Sequence, residues 1–286
     1  MGTVYVVATP IGNLSDITFR AIKVLNEVEY IFAEDTRNIL KLLNHYELKK
    51  PKLVSLHKYN EVKNSKYLVE KIINENCNVA VVCDAGTPCI SDPGRFFISL
   101  ARKKGLNIIG IPGASALTLS VSISGMNVDR FTFIGFFPRE NRDRKEIIEL
   151  MKANCIKSFV FYESPLRLID TLKYLCIFFN NAAIMVGNDL TKFYEKSIYG
   201  DISCVIDELT NFEYVNKGEY VIVFEPRYEK NENKMDISIE ALLFDTMIKN
   251  NISLKESIKV LSQSMKLKKN EVYQASLHLK DYLKDK

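Results

Sequence analysis

Short apolar runs alternate with amphipathic stretches from residue 4 to residue 224. Val79–Cys83 is wholly apolar, as expected for a strand that is buried on both faces. The first helix is predicted to begin near Ser15, whose hydroxyl can cap it, and later helices include Arg95–Arg102 and Glu146–Ala153. Strands are predicted at Val4–Ala8, Tyr30–Ala33, Leu53–Leu56, Val79–Cys83, Leu106–Ile111, Arg130–Phe137, Ser158–Tyr162, Ala182–Val186 and Tyr220–Phe224. This alternation predicts an α/β fold with mainly parallel sheets.

The pattern divides the chain into three parts. We predict an N-terminal α/β domain over residues 1–112 and a second α/β domain over residues 113–227. Residues 225–236 are polar and charged, which is typical of a linker. Beyond them the periodicity is helical throughout, and Ser253–Glu256 has the sequence of a capping box. Residues 237–286 are therefore predicted to be a small all-helical domain.

The loop after the apolar run Val79–Cys83 carries an unusual set of residues. Asp84–Gly94 contains two glycines and two prolines, which are incompatible with a regular helix or strand. The same loop holds the carboxylates of Asp84 and Asp92, together with two hydroxyls. Ligands of open α/β sheets bind at the carboxyl ends of parallel strands, so the loop is a candidate ligand site. A tight connector with capping side chains explains the same residues.

Acidic residues follow other predicted strands as well. Glu34 and Asp35 end the second strand, and Glu163 ends a strand in the second half. Each, like Asp84, can bind a ribose hydroxyl, balance a cation or accept a proton. Each can equally cap the following helix or pair with a nearby arginine. Their predicted convergence on one sheet edge favours an enzyme that binds a small polar ligand, without indicating its reaction.

Composition narrows the class of protein. The 286 residues are 47% hydrophobic, enough for a large core, and carry a net charge of +4. The six cysteines form no CxxC pair, which is typical of reduced thiols in a cytoplasmic protein. With three histidines, no metal site is expected. The chain contains no GxGxxG or GxxxxGK[ST] motif and no apolar stretch of the ~18 residues that a membrane span requires.

Positive charge is concentrated at the C-terminus. The segment Leu254–Lys286 has eight lysines and four acidic residues, so it carries as much net charge as the whole chain. Lys266, Lys268 and Lys269 cluster between two predicted helices. A basic helical pair of this kind is a candidate contact for a nucleic-acid backbone. A solvated lysine-rich face explains the same charges.

Several sequence blocks occur together in an order that resembles a known family. They are Val7–Leu14, Ala33–Arg37, Ser55–His57, Asp84–Gly94, Pro112–Ala116, Phe161–Pro165, Leu190–Lys192, Lys217–Glu219 and Ser253–Glu256. In these blocks the chain resembles the small-subunit rRNA (cytidine-2′-O)-methyltransferases, a branch of the tetrapyrrole methylase superfamily. The likeness covers nearly the whole chain, and the first, second and fourth blocks are specific to this branch.

The resemblance implies a reaction, a cofactor and partners. The reaction would be S-adenosylmethionine-dependent methyl transfer to the ribose 2′-oxygen of a cytidine in the decoding region of 16S rRNA. The family's fold places the cofactor in the cleft between two α/β domains, and the protein would be a homodimer that acts on the small ribosomal subunit. By this analogy the cofactor pocket is lined by Pro10, Asp84, Gly86, Ile90, Ser91, Ser115, Ala116 and Tyr162.

Methyl transfer requires a nucleophilic oxygen held in line with the methyl group, and a route for its proton. Glu34, Asp35 and Arg37 are the candidates for holding the ribose or accepting that proton. Lys192 is a second candidate, as a phosphate holder or charge stabiliser. The charged segment Arg139–Lys145 is predicted to be a mobile loop that could clamp the RNA backbone, although ordinary surface charge explains it equally well.

The chain also departs from the family's pattern. Asn188-Asp189 stands where an Arg-Glu pair is usual, Tyr194 where a glutamate is usual, and Tyr199 where an arginine is usual. Lys58-Tyr59 replaces His-His or His-Asn. These positions lie on segments expected to face the substrate. Two alternatives therefore stay open: a methyltransferase for a small molecule such as a tetrapyrrole precursor, and a non-catalytic RNA- or ribosome-binding protein.

Overall fold

A computed structural model describes residues 2–153, 157–227, 238–264 and 269–284. The chain groups into two compact units, 1–227 and 228–286. The strands are β1 (Thr3–Val7), β2 (Tyr30–Ala33), β3 (Lys52–Ser55), β4 (Val79–Val82), β5 (Asn107–Ile111), β6 (Phe131–Phe136), β7 (Ser158–Glu163), β8 (Ala183–Asn188), β9 (Lys196–Asp201) and β10 (Tyr220–Glu225). The helices are α1 (Phe19–Glu27), α2 (Thr36–His45), α3 (Glu61–Glu75), α4 (Arg95–Lys103), α5 (Ala116–Ile123), α6 (Asn141–Lys152), α7 (Leu168–Phe178), α8 (Ile202–Thr210), α9 (Ile239–Asn250), α10 (Leu254–Ser264) and α11 (Lys269–Lys284).

The first sheet is parallel throughout and has the strand order β3-β2-β4-β1-β5. Successive residues of β4 enter two different cores. Val79 and Val81 pack with Phe32, Leu68 and other residues of one cluster, while the intervening Ala80 packs in a second cluster. Since both faces of β4 are covered, its sequence is a continuous apolar run. The strand predicted at this position is confirmed.

The second sheet is mixed and has the strand order β6-β7-β10-β8-β9. Only β6 and β7 pair in parallel, while β10 runs antiparallel to both β7 and β8, and β8 runs antiparallel to β9. Across the strand pairs of the described residues, five of eight are parallel. The predicted dominance of parallel pairing therefore holds across the described strand pairs and fails within this sheet.

The carboxyl ends of β2 and β4 lie side by side, as the sequence predicted. The backbone N–H of Asp35 donates to Asp84 Oδ1 at 3.1 Å. Glu163 does not share this edge, because it ends β7 of the second sheet. The four strand-end acids therefore come from two sheets, which corrects the expectation that they converge on one.

Two predicted helix starts are wrong. Helix α1 begins at Phe19, where the Thr18 side chain accepts from the Ala21 N–H, instead of near Ser15. Helix α6 begins at Asn141, so most of the predicted mobile loop 139–145 is the first turn of a helix. Arg144 in that turn donates from Nε to the Pro138 carbonyl at 3.0 Å and lies 5.4 Å from the centre of the Tyr174 ring. These contacts hold the side chain against the protein.

The C-terminal unit contains α9, α10 and α11, which pack around Leu243, Leu261 and Val272. The capping box is confirmed: the Ser253 N–H and hydroxyl donate to Glu256 Oε2 at 2.9 and 2.7 Å. Of the predicted lysine cluster, residues 266 and 268 lie outside the described residues. In the part of the chain that the structure covers, no helix is long and apolar enough to cross a membrane.

The cysteines within the described ranges are free thiols. Cys77 and Cys83 are buried, whereas Cys204 is exposed. Cys155 lies outside the described residues. These side chains are consistent with the expectation of unpaired thiols.

Candidate active site

A cavity of about 390 Å³ lies between the two sheets of the first unit. The loops that follow strands of the first sheet contribute Ile11, Asp84, Ala85, Gly86, Thr87, Ile90, Ser91, Asp92, Ser115 and Ala116. From the second half it is lined by Phe136, Tyr162, Glu163, Ser164, Pro165, Leu190, Gly218, Glu219, Tyr220 and Val221. Its first wall is therefore made by the loops that follow parallel strands, the usual position of ligand sites in α/β folds.

The central loop is held in place by backbone hydrogen bonds to the loop after β1. Thr9 and Gly86 exchange two bonds, from Thr9 N–H to Gly86 O at 2.9 Å and from Gly86 N–H to Thr9 O at 3.0 Å. Gly86 has a φ of +84°, a conformation that glycine adopts without steric strain. Thr87 Oγ1 donates to the Ala114 carbonyl at 3.3 Å. Position 86 therefore requires glycine, because its backbone has a positive φ and is held by two hydrogen bonds to Thr9.

Helix α5 directs its N-terminus towards the same cavity, because Ser115 and Ala116 both line it. Ser115 is the N-cap, and its hydroxyl accepts from the Thr118 N–H at 3.5 Å. The first N–H groups of a helix have no partner within the helix, and the helix dipole makes this end favourable for a negative group. A carboxylate or another anionic group is suited to this end of the cavity.

Aromatic rings form part of the second wall. Tyr162 contacts Phe133 and Phe136 edge to face, with ring centroids 5.1 and 5.6 Å apart. Burial, with a smaller effect of Asp92, raises the pKa of Tyr162 to about 12, so its hydroxyl is neutral at physiological pH. A flat apolar surface beside polar groups suits a ligand that combines a heteroaromatic ring with charged substituents.

The acids near the central loop have opposite electrostatic surroundings. Hydrogen bonds from the Arg37 side chain lower the pKa of Asp35 to about 2. Burial, reinforced by the charges of Asp84, Asp92 and Asp35, raises the pKa of Glu34. Burial likewise raises the pKa of Asp92. Glu34 is therefore the better proton acceptor of the predicted pair, since a carboxylate with a raised pKa holds a proton more tightly.

Lys192 lies in the loop between β8 and β9, at the rim of the cavity. Its Nζ contacts Asp189 Oδ1 at 2.5 Å and Glu219 Oε2 at 3.1 Å, and Glu219 itself lines the cavity. Burial disfavours the charged ammonium, but the hydrogen bonds to these two carboxylates outweigh it and raise the pKa of Lys192. The side chain is therefore a fixed positive charge at the cavity's edge.

The structure places seven of the eight predicted cofactor residues along the cavity, namely Asp84, Gly86, Ile90, Ser91, Ser115, Ala116 and Tyr162. Pro10 is not among the lining residues, although its neighbour Ile11 is. None of the four predicted catalytic residues, Glu34, Asp35, Arg37 and Lys192, lines the cavity. Glu34 and Asp35 lie next to the cavity residue Asp84, which accepts a hydrogen bond from the Asp35 N–H. Arg37 points into solvent, with 85% of its side chain exposed.

Sequence reasoning missed Phe136, Leu190 and the segment 219–221 as cavity residues. Leu190 and Glu219 lie within blocks that carry the family resemblance, so a signal was present. Phe136 had none, because an apolar residue at the end of a strand is typical of a core position. Among the described residues, no three His, Cys, Asp or Glu side chains are grouped as metal ligands.

Neutralising Glu34 should change the pH dependence of stability. The raised pKa means that the folded protein holds this proton more tightly than the unfolded chain, so stability falls as pH rises from about 4.5 through the raised pKa. We expect Glu34→Gln to melt at a higher temperature than the wild type near pH 8, with the difference vanishing near pH 4. Thermal melts across this range measure it, and a difference independent of pH would contradict it.

Glu75 supplies a control of opposite sign. Hydrogen bonds from Lys71 and Tyr30 lower the pKa of Glu75, so its stabilising contribution is present above its ordinary pKa and is lost as pH falls. Glu75→Gln should therefore melt below the wild type at neutral pH. The two variants together separate local electrostatics from a general effect of replacing glutamate with glutamine.

Comparison with known proteins identifies the family. A family model described as Tetrapyrrole (Corrin/Porphyrin) Methylases matches residues 3–205. A ribosomal RNA small subunit methyltransferase I from Halalkalibacterium halodurans is 39% identical over 95% of this chain and 93% of its own. Another from Haemophilus influenzae is 37% identical over 96% of both chains. This chain belongs to the ribosomal RNA small subunit methyltransferase I family.

Solved structures share the fold of this methyltransferase family. A diphthine synthase aligns with a TM-score of 0.61 at 13% identity, over 79% of this chain and 90% of its own. A uroporphyrin III C-methyl transferase from Thermus thermophilus aligns with a TM-score of 0.56 at 14% identity, over 78% and 97%. At such identities the likeness concerns fold alone. The predicted class, two α/β domains of the tetrapyrrole methylase type with a helical C-terminal region, is confirmed.

The domain boundaries at residues 112 and 237 stay predictions. The contacts of the chain separate the helical unit after residue 227 and group both sheets together. This grouping agrees with the position of the cavity, which is lined by residues from both sheets. A boundary at residue 112 falls between β5 and α5, just before Ser115 and Ala116, which line the cavity.

Proposed function

We propose that this protein transfers a methyl group from S-adenosylmethionine to the ribose 2′-oxygen of a cytidine in the decoding region of 16S rRNA. Near-full-length identity of 39% and 37% to curated rRNA methyltransferases is the observation that carries the proposal. The cavity supports it, since it is built mainly from the blocks on which the family resemblance rests. The small ribosomal subunit would be the partner, and the cytoplasm the compartment where the two meet.

The chemistry of the cavity fits S-adenosylmethionine. The N-terminus of α5 at Ser115 and Ala116 would receive the methionine carboxylate. The carboxylates of Asp84 and Asp92 supply acceptors for an ammonium group and for ribose hydroxyls. Tyr162 and Phe136 give a flat surface for the adenine ring. When bound, this cofactor supplies a methyl group on a positively charged sulfur.

The residues beside the cavity would position the ribose and handle its proton. Glu34 would accept the proton from the 2′-hydroxyl, because burial and its acidic neighbours raise its pKa. Asp35 is a poor proton acceptor, since its Arg37 partner lowers its pKa to about 2. Asp35 and Arg37 together would hold the ribose or its phosphate. Lys192 would place a positive charge near the RNA backbone.

Removing Asp35 should abolish transfer while leaving cofactor binding intact. Its carboxylate is outside the cavity lining, but it holds Arg37 and caps α2 through the Arg37 N–H at 2.8 Å. Asp35→Ala removes both the charge and the cap, whereas Asp35→Asn keeps a residue type that caps helices equally well. We expect both variants to lose turnover in a methyl-transfer assay. Full activity of Asp35→Asn would reduce the role of Asp35 to capping.

A homodimer is part of the proposal, and the surface of α5 supports it. Helix α5 is rich in aliphatic residues, of which Leu117, Leu119 and Val121 pack partly buried against the second sheet while Ile123 is exposed. Strand β6 lies at the edge of its sheet, and its Phe131 is exposed. An exposed aliphatic side chain and an aromatic residue on an unpaired sheet edge are costly to leave in water, so a second copy would cover them. Light scattering after gel filtration measures the mass in solution.

The decisive experiment uses purified protein, S-adenosylmethionine and undermethylated small ribosomal subunits. Mass spectrometry of nuclease digests would locate any new ribose methyl group. We expect a single 2′-O-methylcytidine in 16S rRNA. Cofactor binding without RNA methylation would overturn the proposal and favour a small-molecule acceptor. Absence of cofactor binding would instead favour a non-catalytic binding protein.

A further inference from the structure

Two neighbouring aromatic side chains project almost completely into solvent. Phe193 is 92% exposed and Tyr194 is 82% exposed. Their rings contact each other edge to face, with centroids 4.9 Å apart and an interplanar angle of 86°. Exposed rings of this size are commonly found at binding surfaces, because burial on a partner recovers a large hydrophobic contribution.

The loop that carries this aromatic pair has a defined and strained backbone. Asp189 and Thr191 have positive φ angles of 48° and 68°, although neither is glycine. A β-branched residue such as Thr191 rarely adopts this conformation. The loop keeps it through hydrogen bonds from the Thr191 N–H to Glu195 Oε2 at 2.6 Å and from the Lys192 N–H to the Asp189 carbonyl at 3.0 Å. Strain that is maintained in this way is characteristic of functional loops.

The same loop lies at the rim of the cavity and touches both halves of the first unit. Leu190 lines the cavity. Thr191 Oγ1 accepts from the Asn13 N–H at 3.2 Å, which joins the loop to the segment after β1. Lys192 contacts Glu219, another cavity residue. The aromatic pair therefore follows directly on residues that border the proposed reaction site.

The surroundings of the aromatic pair favour a nucleic acid over a protein as its partner. The nearest aliphatic residues along the chain, Leu190 and Ile198, are buried. The other positions between them are polar or charged, and both lysines are paired with carboxylates, Lys192 with Asp189 and Glu219 and Lys196 with Glu208. A protein interface usually has a contiguous apolar centre, which two isolated rings do not provide. Stacking on a nucleobase needs only an accessible aromatic face among polar groups, which this loop provides.

We propose that Phe193 and Tyr194 form a stacking platform for an unpaired nucleobase of the RNA, beside the ribose that is methylated. This inference rests on the proposed function. A 2′-oxygen can enter the cavity only if its nucleotide leaves regular helical stacking, and the unstacked base then needs a replacement contact. The aromatic pair supplies this contact at the rim, while the cavity holds the cofactor.

The test compares alanine and aromatic replacements in the full-length protein. With undermethylated small subunits, the double variant Phe193→Ala/Tyr194→Ala should raise KM by about 10-fold or more and change kcat little. The conservative double variant Phe193→Tyr/Tyr194→Phe should keep a KM near that of the wild type. Calorimetry should give the same affinity for S-adenosylmethionine in all of these proteins, since neither residue lines the cavity.

Tyr67 supplies the matched control. It is an exposed tyrosine on α3 and is absent from the cavity lining. Tyr67→Ala should leave KM unchanged. A wild-type KM in the double alanine variant, with the wild type methylating RNA, would overturn the platform alone. A wild type that methylates no RNA would overturn the proposed function and the platform together.

Discussion

Replacing Glu163 with alanine is expected to destabilise the protein by about 3 kcal/mol, because it breaks a buried ion pair while Arg167 keeps its hydrogen bonds to the Phe137 and Pro138 carbonyls. Glu163 is only 2% exposed, and its Oε2 contacts Arg167 Nη2 at 3.0 Å. The same oxygen accepts from Thr171 Oγ1 at 2.7 Å, and Oε1 accepts from the Ser164 N–H at 2.7 Å. Urea denaturation at 25 °C measures the loss of unfolding free energy.

A surface pair with the same spacing provides the control for Glu163. Arg142 and Glu146 are also four residues apart and lie 3.3 Å from each other, but both are exposed. Glu146→Ala should change the unfolding free energy by about 0–1 kcal/mol. Similar losses in the two variants would show that burial does not strengthen the Glu163 pair. Replacing Glu163 and Arg167 together with apolar residues should recover part of the loss.

This prediction assigns Glu163 a structural role that the sequence left open. Among the strand-end acids, Glu163 and Asp35 each pair with an arginine. Burial and several acidic neighbours raise the pKa of Glu34. Such differences depend on which side chains meet in three dimensions. A single sequence can therefore nominate acids as candidates but cannot distinguish a proton acceptor from a structural ion pair.

The strands of the first sheet could be predicted well because each one is marked by a short apolar run of sequence. A strand with both faces covered must be apolar along its length, and Val79–Val82 shows this directly. Four of the five strands of the second sheet were predicted as well, and the fifth, β9, was not. Strand β9 is an edge strand with alternating exposed and covered positions, and only Ile198 of its residues is buried. Its sequence contains no apolar run, so neither the strand nor the antiparallel pairing with β8 was predicted.

The cavity shows the same limit. The loop Asp84–Gly94 was recognisable from its glycines, prolines and acids, and much of it lines the cavity. Val221 and Phe136 reach the same cavity from strands of the second sheet. Their positions depend on the register of long-range strand pairs, such as Val221 opposite Tyr162. Short motifs identify loops of a site, whereas the opposite wall follows from topology.

Replacing Gly86 with valine should nearly abolish cofactor binding and destabilise the fold by about 1–3 kcal/mol. Gly86 has a φ of +84°, which a β-branched residue tolerates poorly. A Cβ atom at this position would lie 3.3 Å from Ile11 Cγ2, and the further methyl groups of valine would crowd a residue that also lines the cavity. Calorimetry with S-adenosylmethionine measures the binding, and thermal melts measure the stability.

Gly110 makes the Gly86 prediction specific. It lies in β5, its φ is outside the positive range, and a Cβ there would have no neighbour within 4 Å. Valine suits a strand, so Gly110→Val should bind cofactor and melt like the wild type. Normal binding by a folded Gly86→Val protein would mean that the cofactor does not approach the Thr9–Gly86 bridge. Loss of binding in Gly86→Val alone would place the cofactor against this loop. Gly86→Val and Gly110→Val make the same chemical change, and they differ only in backbone conformation and in distance from the cavity.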